Sequence, residues 1–259
     1  MNLEHLTYLL TKVRYQGTEE ATFFELGFKR TQAYYEDNKF MFGYIKVGES
    51  NTMFTCHLDT VESYRTGEFK KIVINNNLIS SENKVLGADN GAGVTLLLHM
   101  IEKKIAGHYF FFAGEEIGGI GSVCLANNFT KLFPNLKLER AVAFDRAGDS
   151  DVIDYQLGSP CCSSKFATAL CSKLGSNYKP AYGTFTDTAN FIDFIPECTN
   201  VSIGYYNAHS KQEYLDLSYL KNLSSKVCDI NWEELPVDRN CLEESFENSF
   251  NYQKQFFFR

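Results

Sequence analysis

The sequence has no basic excess. Its 259 residues carry 25 Lys and Arg against 32 Asp and Glu, for a formal net charge of −7. A general binder of nucleic acid or of an anionic membrane needs a basic face, so neither partner is expected. There is also no apolar run near the ~18 residues of a membrane helix. The longest apolar cluster, Tyr109-Phe110-Phe111-Phe112-Ala113, has the length of a buried strand. Met1 to Arg14 contains Glu4, His5, Lys12 and Arg14 where a signal peptide would carry an apolar core. A cytoplasmic location is therefore expected, with the eight cysteines reduced. No C-x-x-C metal knuckle occurs, and the adjacent Cys161 and Cys162 read as small buried hydrophobes. The spacings of a phosphate loop and of a dinucleotide fingerprint are both missing, as are repeats and a proline-rich linker.

What remains is an alternation of strand-like and helix-like stretches. Helices are expected over Leu3–Thr11, Asn90–Lys103, Gly119–Asn128, Ser163–Leu174 and Leu215–Val227. Strands are expected over Phe40–Lys46, Thr52–Cys56, Tyr109–Ala113, Arg140–Phe144, Asp151–Leu157 and Thr199–Tyr205. Lys71–Ile74 and Leu78–Ser80, joined by three asparagines, read as a hairpin. This order implies one α/β domain over residues 1–259, with a mixed, mostly parallel central sheet and helices on both faces. The polar, acidic segment Asp229–Arg259 departs from the pattern. It carries the only tryptophan, Trp232, and ends in three phenylalanines followed by Arg259. It reads either as a closing segment packed on the domain or as an aromatic partner-binding tail.

Five short segments carry acids and histidines, and each falls where a strand ends. Sites of open α/β sheets form at the carboxyl ends of strands, so these segments are expected to meet. The first contains His57 and Asp59; Asp59 can accept the hydrogen bond of the non-ligating ring nitrogen of a metal-bound His57. The second, Gly87-Ala88-Asp89-Asn90-Gly91-Ala92-Gly93, opens a helix. Either Asp89 or Asn90 caps that helix, or Asp89 bridges two metal ions. The third holds the adjacent Glu115 and Glu116. Consecutive side chains in an extended segment point different ways, so one can bind metal while the other faces substrate. Glu116 is read as ligand and Glu115 as general base; the plain alternative is a solvated acidic turn. Asp145 ends the fourth segment, as a third carboxylate ligand, and His209 lies in the fifth, with Glu213 nearby. Two histidines and three carboxylates suit zinc, with Co2+ or Mn2+ as other divalent possibilities.

The succession H-x-D, G-A-D-N-G-A-G, G-E-E-I-G-G-I-G-S, F-D and A-H-S resembles the di-zinc exopeptidases, which include bacterial leucyl aminopeptidases, tripeptidases and related carboxypeptidases. The resemblance spans about His57 to Leu217, and phage and bacterial peptidase-like proteins are the members it most resembles. It implies one zinc held by His57, Asp89 and Asp145, and a second held by Asp89, Glu116 and His209. Glu115 would be the catalytic base and Asp59 would orient His57. The stretch Thr186-Asp187-Thr188 is similar to a site-flanking segment of the superfamily, which makes Asp187 a candidate for substrate contact.

Two departures matter. Asp145 and His209 are too close in sequence to enclose the dimerising lid domain that many members carry, so the chain resembles a lidless form. Arg146 directly follows a ligand candidate; it either pairs with a substrate carboxylate or forms an ion pair with Asp149 or Asp151. The substrate expected is a peptide or another small amide. The rival readings are a deacylase acting on a non-peptide amide and an inactive binding protein on a peptidase fold.

Overall fold

Successive rings in the run Tyr109 to Phe112 point to opposite faces of a sheet, and all four are buried. Tyr109 and Phe111 join the core on one side, Phe110 and Phe112 the core on the other. A strand buried on both faces belongs at the centre of a layered α/β fold, and the computed structural model has that architecture. It describes residues 1–61 and 69–241. The terminal phenylalanines Phe256–Phe258 lie outside the described residues.

The chain opens with α1 (Leu3–Thr11), capped by the Asn2 side chain, which accepts from the Glu4 N–H at 2.9 Å. Next come α2 (Glu19–Glu25), β1 (Ala33–Glu36), β2 (Lys39–Val47) and β3 (Thr52–His57). The expected hairpin follows as β4 (Ile72–Asn75) and β5 (Leu78–Ser81). Its two-residue turn places Asn76 and Asn77 at φ 47° and 67°, a left-handed conformation that asparagine tolerates. After α3 (Ala88–Glu102) come β6 (Gly107–Phe112), α4 (Ile120–Leu132), β7 (Arg140–Arg146), β8 (Asp151–Gln156) and β9 (Ser159–Pro160). The remaining elements are α5 (Ser164–Leu174), β10 (Lys179–Tyr182), β11 (Glu197–Ser202), β12 (Tyr205–Tyr206), β13 (Tyr214–Asp216) and α6 (Leu217–Asp229).

The main sheet runs β1-β2-β6-β3-β7-β11-β8-β10, with β9 paired to β8. Its four central strands, β6, β3, β7 and β11, are mutually parallel. The flanking β2 and β8 run antiparallel to them, so the sheet is mixed and mostly parallel, as expected. A second sheet, β12-β13-β5-β4, is antiparallel. One face of the main sheet is covered by α3, backed by α1 and α6, and α4 lies on the other. Trp232 is buried against Phe54 and Phe144, with ring centroids 4.9 and 6.3 Å away. The start of the acidic C-terminal segment therefore packs on the domain as a closing piece.

Among the strands and helices, α2, β1, β9, β10 and β13 escape sequence reading. All are short, and β1 and β10 are sheet edges with little buried surface. The longest helix also starts differently from expectation. Asp89 and Asn90 have non-helical backbone angles, and the Asp89–Asn90 peptide bond is cis. Neither side chain caps the helix, so the capping alternative is set aside. Seven of the eight cysteines are buried, in keeping with small hydrophobes. Among the described residues no helix is long and apolar enough to cross a membrane.

Candidate metal centre

The parallel strands β3, β6, β7 and β11 end on one side of the sheet, and His57 is the last residue of β3. Its imidazole is 1% exposed. Nδ1 faces backward, 3.1 Å from the Asp59 carbonyl oxygen and 3.5 Å from the Asp59 carboxylate. Nε2 faces the cluster, 3.1 Å from Asp89 Oδ1 and 3.3 Å from Asp145 Oδ1. The closer partner of Nδ1 is thus the main chain of Asp59. The Asp59 carboxylate is engaged elsewhere, accepting the N–H groups of Glu115 and Glu116 at 3.1 and 3.2 Å. It thereby fixes the turn that carries both glutamates.

That turn is a single 3-10 turn, Glu115–Ile117, bracketed by Gly114, Gly118 and Gly119, all at positive φ. Glu116 Oε2 lies 3.1 Å from His209 Nε2, and the same nitrogen lies 3.1 Å from Asp89 Oδ2. The two oxygens of Asp89 are therefore divided between two histidines. Glu116 Oε1 is buried and has no hydrogen-bond partner among the described residues.

Asp145 lies near the end of β7 and is held from several directions. Its N–H donates to Asn200 Oδ1 at 2.9 Å, Thr186 Oγ1 donates to its carboxylate at 2.9 Å, and the Tyr205 hydroxyl donates to its carbonyl at 2.9 Å. Asn90 donates both to the Asp145 carboxylate and to the Phe144 carbonyl. This approach needs Gly93: a Cβ there would sit 2.1 Å from Asn90 Oδ1 and 2.3 Å from the Phe144 carbonyl oxygen. The small residues of G-A-D-N-G-A-G thus let α3 press against the end of β7.

The cluster is electrostatically loaded. Burial raises the Glu115 carboxyl to about 9, with Asp145, Asp187 and Asp89 adding to the effect and His57 opposing it. Burial likewise raises Asp145 to about 6, partly offset by His57. Burial alone would raise Asp89 too, but hydrogen bonds from His209 and His57 overcome it and hold the group well below the ordinary carboxylate range. Hydrogen bonds to Asp89 and Glu116 raise His209 to about 10. Burial alone would lower His57, yet its carboxylate neighbours, Asp145 foremost, hold it well above the ordinary imidazole range. Protons on two imidazoles thus balance the packed carboxylates. A divalent cation would do the same with better ligand chemistry. Nitrogen and oxygen atoms of His57, Asp89 and Glu116 all lie within 4.8 Å of one another. Together with Glu116 Oε1, partnerless among the described residues, this donor set fits a zinc-type cation.

A cavity of about 230 Å³ opens onto the cluster, lined by Asp89, Glu115, Asp145 and His209 at one end and by Arg146, Phe185 and Tyr205 among others. Two larger hollows, about 370 Å³ beside α2 and about 570 Å³ between the start of α1 and α6, hold none of these acids or histidines. Arg146 borders the cavity and pairs with Asp151 through Nε at 3.1 Å and Nη2 at 3.0 Å. Asp187 does not sit on the cavity wall. Its carboxylate is buried, takes the Ser122 hydroxyl, and is raised to about 7 by that burial. Ser122 lies in α4, so Asp187 ties its own segment to that helix. Asn200 escapes sequence reading altogether, while Thr186 lies in the site-flanking stretch without its hold on Asp145 being legible there.

No family model matches the sequence, and no curated protein matches it by sequence. Solved structures do resemble the fold. Aminopeptidase PepT from Bacillus cereus superposes with a TM-score of 0.64 at 14% identity, covering 87% of this chain and 96% of that one. The TET1 peptidase of Pyrococcus horikoshii gives 0.63 at 16% identity, over 87% and 97%. A tripeptidase from Staphylococcus aureus gives 0.60 at 15% identity, over 87% and 95%. At these identities the likeness is one of fold.

Proposed function

We propose that this chain is a metal-dependent exopeptidase of the di-zinc type, hydrolysing the amide bond of small peptides. The observation that carries the reading is the division of the Asp89 carboxylate between two histidines, each 3.1 Å from a different oxygen. His57, Asp89 and Asp145 would hold one ion, and Asp89, Glu116 and His209 the other. Bound there, zinc would act as a Lewis acid and bring the pKa of a water down toward ~7.

The protein's own part in the chemistry falls to the glutamate turn. Glu115 lines the cavity beside Asp89 and Asp145, and its carboxyl holds a proton more tightly than an ordinary carboxylate. Without metal that carboxyl keeps its proton at neutral pH; bound cations would lower its pKa and leave a carboxylate that could take the proton of the attacking water and later deliver it to the leaving amine. Asp59 keeps that base in place through the N–H groups of Glu115 and Glu116. Asn200 and Thr186 do the same for Asp145, so the acidic residues are pre-oriented rather than left to find their geometry. The fold likeness to peptidases supports peptides as the substrate class by analogy.

The test is the metal content of the purified protein, followed by hydrolysis of a panel of aminoacyl, dipeptide and N-acyl substrates. Two zinc per chain with cleavage of peptides supports the reading. Two zinc with cleavage of N-acyl amides alone shifts it to a deacylase. Failure to bind any divalent ion refutes it.

A further inference from the structure

Glu213 stands four residues beyond His209 and is completely buried. Both of its oxygens are engaged. Oε2 accepts the N–H of Gly87 at 2.8 Å, and Oε1 accepts the N–H of Asp89 at 3.0 Å. One carboxylate on the His209 loop thus grips the Asp89 loop by two main-chain donors. Two buried cations hold the same loop by its carbonyls: Lys70 donates to Leu86 at 3.1 Å and Arg14 to Gly87 at 2.7 Å.

His209 itself reaches Asp89 and Glu116 from the same loop. His209 is half-exposed and lies at φ 62°. The hydrogen bonds inside the loop are local: Ser210 donates to the Asn207 carbonyl, and the Glu213 N–H donates to the Ser210 carbonyl. Register with the rest of the fold resumes only at Tyr214, which pairs with Ser80. The carboxylate form matters, because it accepts from both N–H groups, whereas an amide would turn a donor toward one of them.

We infer that Glu213 is a positioning residue that locks the His209 loop to the Asp89 loop and so sets the separation of these two side chains. The inference rests on the metal-centre reading above: the zinc shared by Asp89, Glu116 and His209 is the one that depends on the lock. Nothing in the short A-H-S motif carries this role, since Glu213 touches neither histidine.

Zinc affinity of the full chain, measured by chelator competition, provides the test. H209A identifies which of the two zincs belongs to the His209 side. E213Q is expected to weaken that same zinc about tenfold or more while the other stays near its wild-type affinity. E213D keeps the charge but draws the oxygens back by one methylene; it should weaken the same zinc, and it covers the case in which E213Q does not fold. The control is E197Q. Glu197 is equally buried and accepts from Ser163, Asp238 and Arg239, away from the cluster. E197Q should lower the melting temperature without changing either zinc affinity. The inference is overturned if the Glu213 variants keep both affinities, or if E197Q weakens the His209-side zinc to the same degree. A wild-type chain that binds no zinc would instead sink the metal-centre reading, and this inference with it.

Discussion

Asp89 Oδ1 lies 3.1 Å from Nε2 of His57, and Asp89 Oδ2 lies 3.1 Å from Nε2 of His209. The two histidines come from the first and last of the five acid- and histidine-bearing segments, and this one carboxylate is the point where they meet. The arrangement makes Asp89 the residue whose loss should do most damage.

Asp89→Ala should lower zinc content from two per chain to well below one. Asp145→Ala, which faces His57 alone, should remove only one. Elemental analysis of the dialysed variants checks both. An Asp89→Ala protein that kept two zincs would exclude a shared ligand.

Glu115→Gln should keep both metals, because Glu115 pairs with neither histidine among the described residues. Turnover should fall by about 10²–10⁴-fold, the usual contribution of a positioned general base. Steady-state kinetics beside metal analysis separates loss of the base from loss of the ions.

The metal-free chain should lose stability as pH rises through the neutral and alkaline range. His209, raised from 6.5 to about 10 in the folded protein, contributes stability that is complete below its unfolded value and gone above about 10. Glu115, raised from 4.5 to about 9, acts in the same direction: its neutral form is the favoured buried form, and ionisation through about 9 removes that advantage. Melting temperatures of the chelator-treated protein should therefore decline from about pH 6.5 toward pH 10. Zinc should flatten that slope by taking the place of the protons. A melting temperature that climbs over this range would contradict the charge balance described for the cluster.

Phe54→Ala should cost about 3–5 kcal/mol of unfolding free energy, the usual range for emptying a well-packed aromatic site. Phe54 is fully buried, with Tyr109 and Trp232 at ring-centroid distances of 5.2 and 4.9 Å. Urea unfolding followed by the emission of Trp232, the only tryptophan, measures the loss directly.

Much of the architecture is written locally. Runs such as Tyr109 to Phe112 are apolar without alternation, so they belong to strands covered on both faces. The three asparagines at 75–77 dictate a tight hairpin, because they tolerate left-handed backbone. Where such strands stop, the acids and histidines begin, and the parallel order of β6, β3, β7 and β11 brings those ends to one side. Short edge elements such as β1 and β10 lack this signature, since an edge buries too little to demand an apolar sequence.

Fold class and the convergence of particular chain segments were thus legible in the residues alone, because hydrophobic periodicity and strand termination are local properties. The ranking of the acids within those segments was not. Asp187 and Asp89 both sit in short polar motifs, yet one faces Ser122 in α4 and the other faces two histidines. Arg146 likewise had several open partners, and the tertiary structure pairs it with Asp151 at the start of β8. Contacts near 3 Å are decided by residues whose part in the packing no motif announces: Gly93, whose missing side chain lets α3 approach Phe144; Asn200, which aligns Asp145; and Glu213, which ties two distant loops together. Hydrogen-bond geometry falls off within a few tenths of an ångström, and distances on that scale are set by how the whole chain packs.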